Sequence, residues 1–319
     1  MIADILMSTY NGERYITEQI QSIQQQHFKQ WRLWIRDDGS QDNTRAIIEQ
    51  FAKQDSRIAL VTTASTNNIG VVQSFYELKE FALKQEQIAD YFFFCDQDDV
   101  WLPNKLQVCI ERAELESKDV ALAVYTDLSV VDSNLQTIHK SMIQTQSNHP
   151  NTTLASELTE NTVTGGTLMI NRTAATLWNT HKNLLMHDWY LALMCATCGK
   201  LVYVDEITEL YRQHEDNVLG ARSWQTRLRQ ITHPFNFFNK FWKFFTDSQL
   251  QAKELLHSGI EICDEDRTLL TVFTQILDYN TIQRIRAINK FGLRKNRLIR
   301  SILYQALLIT KIGYPSKVK

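Results

Sequence analysis

The sequence predicts an α/β fold: a sheet flanked by helices over residues 1–222, followed by a helical region over residues 223–319. Three observations carry that expectation. Apolar runs rich in β-branched and aromatic residues alternate with helix-period segments through the first half of the chain. Short polar turns follow successive strand-like runs, at Ser8-Thr9-Tyr10-Asn11-Gly12, Asp37-Asp38-Gly39-Ser40 and Asp96-Gln97-Asp98-Asp99. Near residue 222 the pattern becomes wholly helical, and the composition turns basic and aromatic.

Taken in order, residues 2–7 read as a strand, 13–26 as a helix, 31–36 as a strand and 42–53 as a helix capped by Ser40 or Asp42. Residues 58–63 form the next strand, 71–84 the next helix and 91–95 the fourth strand. Leu102-Pro103 opens a helix reaching residue 117, because proline is tolerated in a first turn. A strand follows at 120–125, then a polar, aperiodic excursion over 136–161. Residues 162–170 read as a strand containing Gly165-Gly166, where missing side chains permit close approach of a ligand or backbone. A helix at 187–198 and two short strands at 201–204 and 207–212 complete the first part.

With 319 residues and 44% hydrophobic content, the chain can bury a substantial core. Its net charge of -2 hides an asymmetry: residues 1–220 carry 17 Lys+Arg against 29 Asp+Glu, residues 221–319 carry 17 against 7. After Asp278 there is no acidic residue at all. Seven aromatic residues, Phe235, Phe237, Phe238, Phe241, Trp242, Phe244 and Phe245, form a stripe interleaved with Lys240 and Lys243. Such a stripe packs against its own protein or, beside a polybasic tail, settles at a membrane surface. Five cysteines, four of them inside apolar segments, fit a reducing compartment, and Cys195 and Cys198 read as buried thiols. The start lacks the basic and long apolar regions of a signal peptide, and no apolar run approaches a membrane span, so a cytoplasmic enzyme is expected.

The chemistry centres on Asp96-Gln97-Asp98-Asp99, which follows the apolar run 91–95. Like charges that close repel one another unless a cation lies between them, and carboxylate oxygens are the ligands of hard ions such as Mg²⁺ or Mn²⁺. A turn would also use aspartates. However, the motif lies at a strand's carboxyl end, where open parallel sheets bind ligands. Ser8–Gly12, Asp37–Ser40 and Asn67-Asn68-Ile69-Gly70 fall on the same rim and make a nucleotide pocket with it.

Together with His187-Asp188-Trp189 and Tyr211-Arg212-Gln213-His214, these motifs resemble glycosyltransferase family 2, inverting nucleotide-sugar transferases with a GT-A fold. The resemblance covers residues 1–220 and is closest to bacterial polysaccharide rhamnosyltransferases. It implies that Thr9, Tyr10, Asn11, Asp38, Asn68, Gly70, Asp96, Gln97 and Arg212 border the nucleotide sugar. Asp98, with His214, would hold Mg²⁺ or Mn²⁺ against the diphosphate. Asp188 would be the catalytic base, although a helix-capping role explains it too, and Gly165, Gly166, His187 and Trp189 would line the acceptor or donor-sugar region. Where many members have Glu-Asp, this chain has His187-Asp188. The implied reaction moves L-rhamnose from dTDP-L-rhamnose onto a lipid-linked cell-wall or capsular precursor. The enzyme would then lie peripherally on the inner membrane face, its C-terminal region serving membrane docking or homo-oligomerisation.

Other readings remain: a donor carrying a UDP-linked hexose or galactofuranose, a haloacid-dehalogenase-like phosphatase with Asp96 as nucleophile, and a non-catalytic membrane-binding protein. Nucleic acid is not an expected partner, since the carboxylate-lined sheet edge would repel phosphates in the absence of metal.

Overall fold

The computed structural model describes residues 1–62, 68–180, 182–214 and 234–315. Its centre is a mixed sheet of β1 (Ala3–Thr9), β2 (Trp31–Asp37), β3 (Ile58–Leu60), β4 (Tyr91–Cys95), β5 (Val100–Trp101), β6 (Ala121–Val131), β7 (Thr137–His139), β8 (Leu168–Asn171) and β9 (Gly199–Arg212), in the order β3-β2-β1-β4-β8-β6-β9-β5, with β7 on β6. Strands β1 to β4 are mutually parallel, β8 is antiparallel to both β4 and β6, and β9 runs parallel to β6. The carboxyl ends of β1, β2, β3, β4, β6 and β9 therefore share one edge with the start of β8. That edge is the rim on which the polar motifs converge.

All five residues of β4 are buried, which explains its unbroken apolar run: a strand inside a sheet covered on both faces has no solvent side. Phe92 and Phe94 enter the core on one face, Phe93 and Cys95 the core on the other, as period-two alternation requires. The second face is covered by α1 (Ile16–Gln24), α2 (Thr44–Gln54) and α4 (Lys105–Ala113). The first is covered by α3 (Val71–Leu83), α7 (Arg172–Leu177) and α8 (His187–Cys198). Buried Asp4 on β1 is paired at both oxygens with Arg32 on β2, at 2.7 and 2.9 Å, which pins the register of the two strands.

Four segments differ from expectation. Residues 136–161 are not featureless, since they contain β7, α5 (Met142–Gln146) and α6 (Leu154–Thr159), the two helices capped by Ser141 and Thr153. Residues 165–167 form a 3₁₀ turn rather than strand, so β8 begins only at Leu168. The two short strands expected at 201–204 and 207–212 are one, with a register irregularity opposite Thr126 and Asp127. The helix starting at Leu102-Pro103 is shorter, beginning at Lys105, because Val100–Trp101 pairs with β9 first.

The expected boundary at residue 222 lies outside the described residues. Beyond it come α9 (Pro234–His257), α10 (Asp264–Gln275), α11 (Thr281–Phe291) and α12 (Leu298–Thr310). Their core is continuous with that of the sheet. Trp242 and Phe245 are buried, and Phe244 stacks on Trp189 at 5.1 Å, so these members of the aromatic stripe pack inward. Ser248 Oγ donates to Leu158 O at 2.6 Å and Gln251 Nε2 to Met186 O at 2.9 Å, fastening α9 to α6 and to the start of α8.

Candidate active site

The rim is built from reciprocal bonds between neighbouring strand ends. Tyr10 N donates to Gln97 Oε1 and Gln97 Nε2 donates to Tyr10 O, both at 2.9 Å, tying the β1 turn to the β4 turn. The pair is close enough that a Cβ at Gly12 would fall 2.2 Å from Gln97 Oε1. Asn11, at φ 49°, receives Gln41 N on its side chain and gives its own N–H to Ser40 Oγ. Thr9 Oγ1 donates to Asp37 Oδ1 at 3.2 Å. The turns at 8–12 and 37–41 are thus one cross-braced loop pair.

Asp38 is only 3% exposed. Its carboxylate accepts from Arg36 Nη1, from Ile69 N at 2.8 Å and from Gly70 N at 2.9 Å. The carboxylate expected at the base thus holds the turn that opens α3, while Asn68 is exposed beside it. Gly70 has φ 83° and ψ 160°, a backbone state open essentially to glycine. Next to this latch an open cleft of about 680 Å³ is lined by Ile69 to Gln73 and by Lys182, Asn183 and Leu184.

The carboxylates at the end of β4 are crowded, as expected. Burial raises Asp96 well above the usual carboxylate range, and the charges of Asp98, Glu209 and Asp188 raise it further. Asp99, buried among the same neighbours, is raised likewise; its Oδ1 accepts from Arg212 N at 2.9 Å and its Oδ2 has no hydrogen-bond partner. His214 Nε2 lies 2.7 Å from Asp98 Oδ2, and its ring packs against Tyr15 at 4.9 Å. Arg212 is 2% exposed. Its guanidinium donates to Asp98 O and Ser133 O at 2.8 Å and pairs with Glu18, holding the β4 turn against β9.

Two residues of this site escape a reading of the sequence. Lys105 and Glu209 form a completely buried pair at 2.7 Å; Lys105 Nζ also donates to Gly166 O at 2.5 Å and lies over the Trp101 ring. A Cβ on Gly166 would meet Glu209 Oε1 at 2.4 Å, so glycine is required for that approach. The only advance signal was two charged residues within otherwise core-facing segments.

Asp188 is 6% exposed and lies in the first turn of α8. Its carboxylate accepts from Trp189 N at 2.7 Å and from the backbone N–H of Gly165. Burial pushes it up to about 6, only partly offset by those bonds. His187 instead points into the aromatic core, 4.3 Å from Phe75 and 4.9 Å from Phe94 between ring centroids. Burial lowers it to about 3, and neither ring nitrogen has a partner, so it is a neutral wall of the site. Trp189 Nε1 donates to Glu157 O at 3.1 Å.

Among the described residues no three His, Cys, Asp or Glu side chains form a preformed metal cage. The residues nevertheless suit a hard divalent ion. Asp96, Asp98 and His214 offer oxygen and imidazole donors, and the burial and mutual repulsion that raise Asp96 and Asp99 are what a bound cation would offset.

Residues 4–177 match the model of the family described as glycosyl transferase family 2. The chain belongs to glycosyl transferase family 2. It is 31% identical to the dTDP-rhamnosyl transferase RfbG of Shigella flexneri over 239 residues, 70% of this chain and 78% of that protein. It is 30% identical over 133 residues to the UDP-Glc:alpha-D-GlcNAc-diphosphoundecaprenol beta-1,3-glucosyltransferase WfgD of Escherichia coli, 42% of this chain and 48% of that one. The fold matches S. aureus TarS 1-349 in complex with UDP-GlcNAc, at a TM-score of 0.56 and 17% identity, covering 91% of this chain and 80% of the other. It also matches the mannosyltransferase PcManGT of Pyrobaculum calidifontis with GDP-Man and Mn2+, at 0.54 and 12%, covering 96% and 84%. The GT-A architecture with a helical C-terminal region is therefore the fold of this family 2 glycosyltransferase. Family membership takes the place of the phosphatase reading of Asp96.

Proposed function

We propose that the enzyme transfers L-rhamnose from dTDP-L-rhamnose, with inversion, to a hydroxyl of a lipid-linked cell-wall or capsular polysaccharide precursor, with Mg²⁺ or Mn²⁺ as cofactor. The observation that carries this reading is the convergence of Asp96, Asp98 and Asp99 at the end of β4 with Asp188 of the α8 first turn. A diphosphate entering so negative a site needs a countercharge, and Asp98, Asp96 and His214 are the groups that would hold a divalent ion there. That ion would neutralise charge growing on the leaving diphosphate, more in the transition state than in the ground state.

Asp188 is the general base. The acceptor hydroxyl oxygen attacks the anomeric carbon from the face opposite the diphosphate, the bond from that carbon to the phosphate oxygen breaks, and the hydroxyl proton passes to Asp188. Raised to about 6, the carboxylate is ionised at neutral pH yet is a better proton acceptor than an ordinary aspartate. The bonds from Trp189 N and Gly165 N fix its orientation. Gln97, Asn11 and Asp38 keep the nucleotide side of the rim in shape, through Tyr10, Ser40 and Gly70 respectively.

The rhamnosyl donor is favoured by the similarity to a dTDP-rhamnosyl transferase, and the lipid-linked acceptor by the similarity to an enzyme named for a diphosphoundecaprenol substrate. That second relative also supports a competing donor, a UDP-hexose. A panel of nucleotide sugars tests the choice: turnover of dTDP-L-rhamnose above all UDP-hexoses supports the proposal, and preference for a UDP-hexose replaces it.

A further inference from the structure

We infer that the outer face of α12 is a docking surface for an anionic lipid bilayer, an inference that rests on the lipid-linked acceptor proposed above and supplies the surface by which the enzyme would reach it. On this helix Leu298 is 75% exposed, Ile299 81%, Ile302 59% and Leu303 41%, while Ser301, Tyr304, Leu307 and Leu308 are buried on the other side. At about 100° per residue, Ile299, Ile302, Leu303 and Ala306 share one stripe. A helix on a water-facing surface puts polar residues there. On the neighbouring α11, Ile282 is 63% and Ile285 40% exposed. By contrast, Trp242 and Phe245 of the upstream aromatic stripe are buried and Phe244 stacks on Trp189, and among the described residues beyond 234 the most exposed large apolar side chains, Ile299 and Leu298, lie on α12.

The charge around this face selects the occupant. Arg286, Lys290 and Arg294 are exposed, and Arg297 and Arg300 project from the start of α12 onto the carbonyls of Gln144, Thr145 and Gln146. Arg300 also pairs with Glu160 at 3.3 Å, so the free cations of this face are Arg286, Lys290 and Arg294, and no acidic residue follows Asp278 in the sequence. A second copy of the chain meeting this face about a two-fold axis would set these cations against themselves. A bilayer rich in acidic lipid meets them with phosphates and takes the aliphatic stripe into its headgroup boundary. At 13 residues α12 is about 20 Å long, too short to cross a hydrocarbon core of about 30 Å, so it lies in the plane of the surface.

The test is vesicle co-sedimentation of the full chain, comparing the wild type with Ile299→Ser/Ile302→Ser/Leu303→Ser. These side chains are exposed, and an unchanged melting temperature confirms that the fold is kept. Wild type should bind phosphatidylglycerol-containing vesicles, bind phosphatidylcholine vesicles at least about tenfold less, and be released by high salt. The triple variant should lose at least about tenfold in partitioning, while its hydrolysis of a soluble nucleotide sugar stays unchanged. Equal binding of variant and wild type overturns the inference, as does a wild-type dimer that ignores vesicles and becomes monomeric in the variant. Loss of vesicle binding in the variant, with no nucleotide sugar turned over by either protein, would leave the docking surface standing and refute the transfer reading instead.

Discussion

Lys105 Nζ lies 2.7 Å from Glu209 Oε2, and neither side chain is exposed to solvent. The same ammonium holds Gly166 O, and the neighbouring Gly165 gives its N–H to Asp188. The ion pair thus holds the 3₁₀ turn that bonds the proposed base. Removing one partner strands the other charge, so Lys105→Met should cost about 3–5 kcal/mol of stability, read by denaturant unfolding. The double variant Lys105→Met/Glu209→Leu should recover most of that loss. Its kcat should stay low because the turn is no longer held.

Gly166 is constrained by the same pair. An added Cβ would lie 2.4 Å from Glu209 Oε1, a contact that no rotation of a paired, buried carboxylate relieves cheaply. Gly70 has open space instead, and only its backbone state opposes a side chain. Gly70→Ala should cost about 1–3 kcal/mol. Gly166→Ala should lower the melting temperature further and depress activity with it; thermal melts of the two variants decide the order.

The pH dependence follows from Asp188. With Asp188 as the proposed base, kcat/KM should fall below about pH 6, with a limb that Asp188→Asn lacks because its activity is already lost. Stability moves the other way. The folded group binds its proton up to about 6 and the unfolded one only to about 3.8, so the unfolded chain holds fewer protons between those values and stability declines as pH rises through them. At neutral pH the inactive Asp188→Asn protein should be at least as stable as the wild type, measured by unfolding at pH 4 and pH 7.

Much of the architecture is legible in the sequence because it is written in local periodicity. The buried run of β4, the three polar turns and the helix opened by His187 and Asp188 all announce themselves within a dozen residues. What the sequence hides is long-range. Lys105 and Glu209 are 104 positions apart and become partners only when β5 pairs with β9 and places α4 beneath the rim. Asp205 and Glu206, exposed in mid-strand, make β9 look like two strands. Gly165-Gly166 permits strand or turn equally, and the approach of Glu209 and His187 decides for the turn. The direction of a side chain is hidden in the same way: His187 and Arg212 are polar residues in the right motifs, yet each is turned inward by packing.

The proposed chemistry turns on Asp98 holding a cation against the donor diphosphate. Calorimetric binding of dTDP-L-rhamnose, with Mg²⁺ or Mn²⁺ and then with chelator, tests it for the wild type and Asp98→Asn. Wild-type affinity should be at least about tenfold weaker in chelator. Asp98→Asn should bind equally weakly in both conditions while keeping its fold. Equal wild-type affinity with and without metal, or a metal effect that survives Asp98→Asn, would contradict it.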